Sequence, residues 1–208
     1  MARLRHGGTF RRAPGQPWLA IRGQQFFNAD PPGFVWWGRV RVAPGLWIEA
    51  RDKSVQGAGG MLVKAGASWT LADASGPQVD QGALLRLLGE MMWFPTAFAD
   101  SRYVSWTAID DQSAEATLRV AGREVRAEFH FGADGLPTRF TAMRYRDLEN
   151  GRSQMTPFVG TCSDFKLHSG LLVPFQLEAA WQLEDGLFPY ARFVVERLDF
   201  NPSGFRGD

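Results

Sequence analysis

Cysteine occurs once in the 208-residue chain, at Cys162, so no disulfide within the chain can brace it and the redox compartment stays open. A lone cysteine outside any motif reads as a small buried residue, not as a nucleophile. Charge of one sign is equally scarce: 23 Lys and Arg stand against 22 Asp and Glu, a formal net charge of +1. That balance excludes the strong field by which a chain grips nucleic acid or an anionic membrane surface. No apolar run reaches the length of a signal peptide or a membrane span. Repeats, low-complexity tracts and charged blocks are missing too. So are the short signatures Gly-x-Ser-x-Gly, His-Glu-x-x-His and paired Cys-x-x-Cys. Their lack excludes the hydrolases and zinc sites that are written in contiguous motifs. It leaves open a site assembled from scattered Asp, Glu and His.

What the chain has in quantity is aromatic: 8 Trp, 16 Phe and 3 Tyr make up 13% of it. A large aromatic core and a ring-lined cavity both fit this, and both fit a hollow sheet. A chain of this length suits one domain over 1–208, and burying roughly 70% of the unfolded surface gives it a full core.

One stretch is helical in pattern. Between Asp80 and Pro95, Leu84, Leu85, Leu87, Leu88, Met91, Met92 and Trp93 wrap most of the circumference, so the helix must be buried on nearly every side. Ser75-Gly76-Pro77 starts it and Pro95 stops it, which predicts a buried helix over about 78–94. Arg86 and Glu90 interrupt it, and it is too short to cross a bilayer.

The rest reads as strands. Val40 and Val42 alternate with Arg39 and Arg41, Leu46, Ile48 and Ala50 with Trp47, Glu49 and Arg51, and Val125, Ala127, Phe129 and Phe131 with Glu124, Arg126, Glu128 and His130. Asn28 to Gly33, Pro44-Gly45, Ala121-Gly122, Ala133 to Gly135, Glu149 to Gly151 and Glu184 to Gly186 are turn signals, and the tail 201–208 is a natural end. Residues 1–12, broken by Gly7-Gly8, read as an edge strand. The glycine-rich run Gly57 to Gly60 signals a sharp bend or the close approach of another element such as the buried helix. The predicted fold class is mainly β: a strongly curved antiparallel sheet, or open half-barrel, of about eleven strands around one buried helix.

Several runs occur together: Asp30 to Trp36, Gly38 to Arg41 with Pro44-Gly45, Ala50 to Asp52, Leu71 to Asp73, Leu84 to Glu90 with Trp93 to Ala97, Phe129 to Phe131, and Pro189-Tyr190. As a set they resemble an uncharacterised bacterial family, the domain of unknown function 6544, from about Leu4 to Asn201. The order of strands and helix is also similar to the half-barrel of bacterial lipoprotein carriers, where an open sheet wraps a helix around an apolar cavity. Members of the family often carry a further N-terminal segment. The expectation is a chain soluble as given, cytoplasmic or membrane-tethered in a bacterium, with membrane contact only through such an anchor.

Candidate chemistry falls in three places. Arg86 and Glu90, four apart on the helix, read as an ion pair or as a carboxylate held at a cavity mouth with its pKa shifted by burial and by the arginine. Glu128 and His130 lie about 7 Å apart on one strand face. With Asp110 or Asp111 they form a candidate site for a divalent ion: calcium, magnesium, zinc or manganese. Arg144 and Arg146 alternate on a strand and either meet an anionic headgroup or oxyanion or face water. His6 and His168 read as surface residues. Two functions follow. The first is a protein that takes an apolar or lipid-like small molecule in a cavity lined by Phe34, Trp36, Leu88, Met92, Trp93 and Phe129. The second is a metal-assisted hydrolase of apolar esters or phosphoesters, phosphotriesters included. In it Asp110, Glu128 and His130 hold the metal, Glu90 or His130 acts as base, and Arg86 or Arg144 counters developing charge.

Overall fold

Alternating apolar residues produce thirteen strands where about eleven were expected, because the short segments next to the helix also pair. The computed structural model describes residues 1–66, 68–148 and 152–202; the expected loop at Glu149 to Gly151 and most of the tail lie outside them. The strands are β1 Ala2–Phe10, β2 Leu19–Ala29, β3 Pro32–Ala43, β4 Leu46–Val55, β5 Ala58–Ala65, β6 Trp69–Ala74, β7 Val104–Asp110, β8 Ser113–Val120, β9 Arg123–Phe131, β10 Pro137–Asp147, β11 Ser153–His168, β12 Leu171–Leu183 and β13 Gly186–Phe200. The helix α1, Pro77–Glu90, is followed by short 3-10 turns at Met91–Trp93 and Pro95–Ala99.

All neighbouring strands are antiparallel, in the order β6-β5-β4-β3-β2-β1-β13-β12-β11-β10-β9-β8-β7. The two edges, β6 and β7, are joined through α1, so the chain must cross from one rim of the curled sheet to the other. The helix makes that crossing inside the half-barrel, packing on β3, β4 and β5 on one side and on β9 and β10 on the other. Its uniform apolarity is thereby satisfied: Leu84, Leu85, Leu87, Leu88 and Met91 are all at most 2% exposed. Each such side chain contributes about 1.5–3 kcal/mol relative to exposure.

Residues 1–12 do not form an edge. β1 pairs with β2 on one side and with β13 on the other, Leu4 lying opposite both Gln25 and Leu198. Local alternation cannot reveal that the last strand returns to the first, and it is this return that buries Leu4 completely.

The glycine run at the start of β5 marks the close approach it suggested. A Cβ on Gly59 would lie 2.6 Å from the carbonyl oxygen of Val79 in the first turn of α1. Gly59 N–H instead donates to Asp80 Oδ1 at 2.7 Å. At the other end of the helix, the Phe140 ring fills the space that a side chain at Gly89 or Gly160 would need.

Candidate functional site

Register fixes which side chains face the helix. Phe27 lies opposite Phe34, Gln25 opposite Trp36, and Trp36 opposite Asp52, so these residues of β2, β3 and β4 share the concave face. Onto them α1 lowers Arg86. Its guanidinium donates from Nε to Glu90 Oε1 at 2.8 Å, from Nη1 to Asp52 Oδ2 at 2.6 Å and from Nη2 to Gln25 Oε1 at 2.9 Å. Gln25 closes the ring by donating to Glu90 Oε2 at 2.6 Å. The cation also lies over the rings of Phe34 and Trp36, at 4.8 and 5.0 Å, where ring quadrupoles favour it. The i,i+4 pair is therefore real, but it sits in a closed network in which both Glu90 oxygens are engaged. Burial pushes the Glu90 carboxyl above the usual carboxylate range, against the pull of Arg86 and Gln25. Burial also opposes the charge on Arg86, but Glu90 and Asp52 outweigh it and raise its pKa.

His6 adjoins this network and is buried, 3% exposed, contrary to the surface position expected of it. It lies on β1 opposite Gly23, whose missing side chain leaves room for the imidazole. Trp36 Nε1 donates to His6 Nε2 at 2.8 Å. Because Nε2 must accept, the ring proton sits on Nδ1, 3.2 Å from the carbonyl oxygen of Gly7. Burial, assisted by the charge of Arg86 and resisted by the bond to Gly7, lowers the His6 pKa to about 4.

The other sequence candidates lie elsewhere. Glu128 and His130 come together, with Oε1 and Nε2 3.1 Å apart, but on the opposite, convex face from Phe129. Asp110 and Asp111 line a shallow edge cleft with Gln112, Ser113, His130 and Phe131. Asp110 is held below the usual carboxylate range chiefly by the backbone N–H of Gln112. Arg139 Nη2 approaches His130 Nε2 to 3.2 Å, a cation where a metal would need a free lone pair. Among the described residues no three of His, Cys, Asp and Glu converge as a metal site requires, so these donors do not fit the divalent ion expected of them. His130 is separated from Glu90 and Arg86 by the thickness of the sheet, and no catalytic constellation joins them. Cys162 is buried as expected, with its thiol directed at the Pro137 carbonyl oxygen at 2.8 Å and its pKa pushed up to about 12 by burial.

Phe34, Trp36, Leu88, Met92, Trp93 and Phe129 are brought together around the helix, yet all are at most 7% exposed. They form the packed floor of the half-barrel. The concave side chains that remain half-buried are on other strands: Phe10, Leu19, Leu177, Tyr190 and Phe193. Aromatic contacts make them continuous with the core. Tyr190 lies 6.3 Å from Phe10, 5.8 Å from Trp181 and 6.5 Å from Phe158, and Phe193 lies 4.7 Å from His6. Sequence reasoning missed Tyr190 because it is the extra residue of β13 where Ala179 and Ala180 pair with Ala191 and Pro189, which breaks the alternation that would have assigned its face. Arg144 completes this side. It shares a face with Phe140 and Ala142 on β10, opposite Thr156, and its guanidinium lies 5.2 Å from the Phe158 ring and 5.9 Å from the Trp181 ring.

Among the described residues no helix is long and apolar enough to cross a membrane. The chain is similar to the crystal structure of a LolA superfamily protein from Nitrosomonas europaea, with 11% identity, 97% of this chain and 86% of that chain covered, and a TM-score of 0.47. No curated protein matches it. Residues 1–193 match the model of the family of unknown function DUF6544, and the chain belongs to that family.

Proposed function

We propose that the protein binds an apolar, lipid-like small molecule against the concave face of the half-barrel. The observation that carries this reading is the half-buried apolar wall formed by Phe10, Leu19, Leu177, Tyr190 and Phe193. These side chains lie on strands away from the main packing of α1, beside a floor of fully buried rings. Apolar surface left half-exposed on a concave face is where a greasy ligand gains most, at about 25 cal/mol for each Å² removed from water. The floor is rigid and already packed, so the ligand lies along the wall and does not displace the helix.

The neutral dye Nile red tests this without any charged group. Saturable binding with a fluorescence rise, reversed by dodecanol, is expected. Tyr190→Asp should weaken it by about tenfold, the equivalent of roughly 1.4 kcal/mol of lost ring burial. Val35→Asp, at a convex position 47% exposed, should leave it unchanged. No saturable signal from the folded wild-type protein overturns the reading.

A further inference from the structure

Many arginines of this protein form ion pairs with carboxylates. Arg86 and Arg3, whose side chains are the most deeply placed of these, each hold a carboxylate: Glu90 and Asp52 for the first, Asp199 for the second. Arg144 and Arg146 do not. Both are half-buried on the concave face of β10, and in both the Nε is sealed from solvent with no hydrogen-bond partner among the described residues. Neither forms an ion pair there. They stand two residues apart on one strand, about 7 Å along it. Gly82 in α1 stands beside Arg144; a Cβ at Gly82 would lie 3.4 Å from its Nε. The stem and guanidinium of Arg144 are thus held between the helix and the rings of Phe158 and Trp181. Asp52 and Glu90, carboxylates of the same concavity, are committed to Arg86.

A buried N–H without an acceptor is rare and costly, and more so on a cation. Two of them lie on one face, and the Phe158 and Trp181 rings under Arg144 are the ones that Tyr190 of the apolar wall also meets. We propose that Arg144 and Arg146 form an anion subsite that receives the acid group of an amphiphile, a carboxylate or phosphate, whose chain lies along the Phe10–Tyr190 wall. This rests on the proposed function and specifies its ligand class. Planar guanidinium groups match either oxyanion, and charge-assisted hydrogen bonds give the orientation that an apolar wall cannot. The acid group sits on β10 and the chain runs toward β13 and β1.

The test compares three dodecyl ligands below their micelle concentrations, dodecanol, dodecanoate and dodecyl phosphate, by displacement of Nile red. The wild-type protein should bind both acids about tenfold or more tightly than the alcohol. Arg144→Met, Arg146→Met and the double variant should reduce that ratio toward one while leaving dodecanol affinity in place. Arg144→Lys, which keeps the charge without the planar fork, should retain an intermediate ratio. If Arg144→Met does not fold, Arg146→Met and the wild-type ratio still decide. Equal wild-type affinities for alcohol and acids overturn the subsite and leave the apolar reading standing. A preference that survives in the double variant also overturns the assignment. Inorganic phosphate or acetate competing as well as the dodecyl acids means a site for free anions and overturns the amphiphile. Failure of all three ligands, dodecanol included, falls on the proposed function itself.

Discussion

Protonation of His6 should destabilise the folded protein as pH falls below the ordinary imidazole range. The imidazole accepts from Trp36 through Nε2, so the second proton would have to be placed where an indole N–H already points. Its pKa falls from 6.5 in the unfolded chain to about 4 in the folded one. The sign follows directly: between these values the unfolded chain binds more protons, so stability rises with pH. The contribution is fully present above pH 6.5 and is lost as pH falls toward 4. The shift is worth about 3 kcal/mol at 1.36 kcal/mol per unit, a large share of the usual 5–15 kcal/mol. Glu90 works in the opposite direction, because its carboxyl is raised by burial and it loses stabilisation as pH climbs above the unfolded carboxylate value. The quantity to measure is therefore the difference between the wild-type protein and His6→Phe, in which the Glu90 effect cancels. Phe keeps the ring contact with Phe193 but deprives Trp36 of its acceptor, a pH-independent cost of about 1–3 kcal/mol. Urea midpoints at several pH values should show the wild type ahead at neutral pH and its lead shrinking by about 3 kcal/mol by pH 4. Parallel curves across that range would refute the buried neutral imidazole.

Two further outcomes follow from the packing of α1. Arg86→Met strips the cation from Glu90 and Asp52 and should cost about 3–5 kcal/mol in chemical denaturation, as removal of one partner from a buried ion pair does; a cost below about 1 kcal/mol would mean that the network behaves as solvated surface charge. Gly59→Ala drives a methyl group into the Val79 carbonyl and should cost about 1–3 kcal/mol, read as a lowered melting midpoint. An unshifted midpoint would move the helix away from β5.

The helix was the most legible part of the fold because its signal is local: apolar residues on all sides, Pro77 and Pro95 at the ends. The glycine run was legible for the same reason, since a strand without side chains announces an approaching backbone. The Arg86–Glu90 pair could be read from spacing alone. Its partners could not, because Gln25 and Asp52 are 61 and 34 residues away in the chain and meet only through the register of β2, β3 and β4. The position of His6 was hidden in the same way. Glycines beside it suggested an exposed break, whereas Gly23 across the strand pair is what admits the ring. Glu128 and His130 illustrate the converse: period two and polarity correctly placed them on one face, but the cation that meets His130 there, Arg139, comes from the neighbouring strand and follows from the pairing of β9 with β10.

The polar contacts of the interior have a common logic. A helix apolar on every side can rotate or slide in an apolar trough with little change in buried area, so hydrophobic burial alone leaves its register undefined. Three directional anchors remove that freedom. Asp80 accepts from Gly59 N–H on β5 and pairs with Arg123 on β9, tying α1 to both sides of the half-barrel. Arg86 fixes its middle to β2 and β4. Trp93 donates to the Pro174 carbonyl oxygen at 3.0 Å, fixing the turn that follows to β12. With the helix held at three points on five strands, the floor beneath it stays closed, while Arg144 and Arg146 and the half-buried rings of β1 and β13 stay on the concave face without a part in holding it. That division of labour, charges that hold the helix and charges that do not, is what the proposed site for an acidic amphiphile requires.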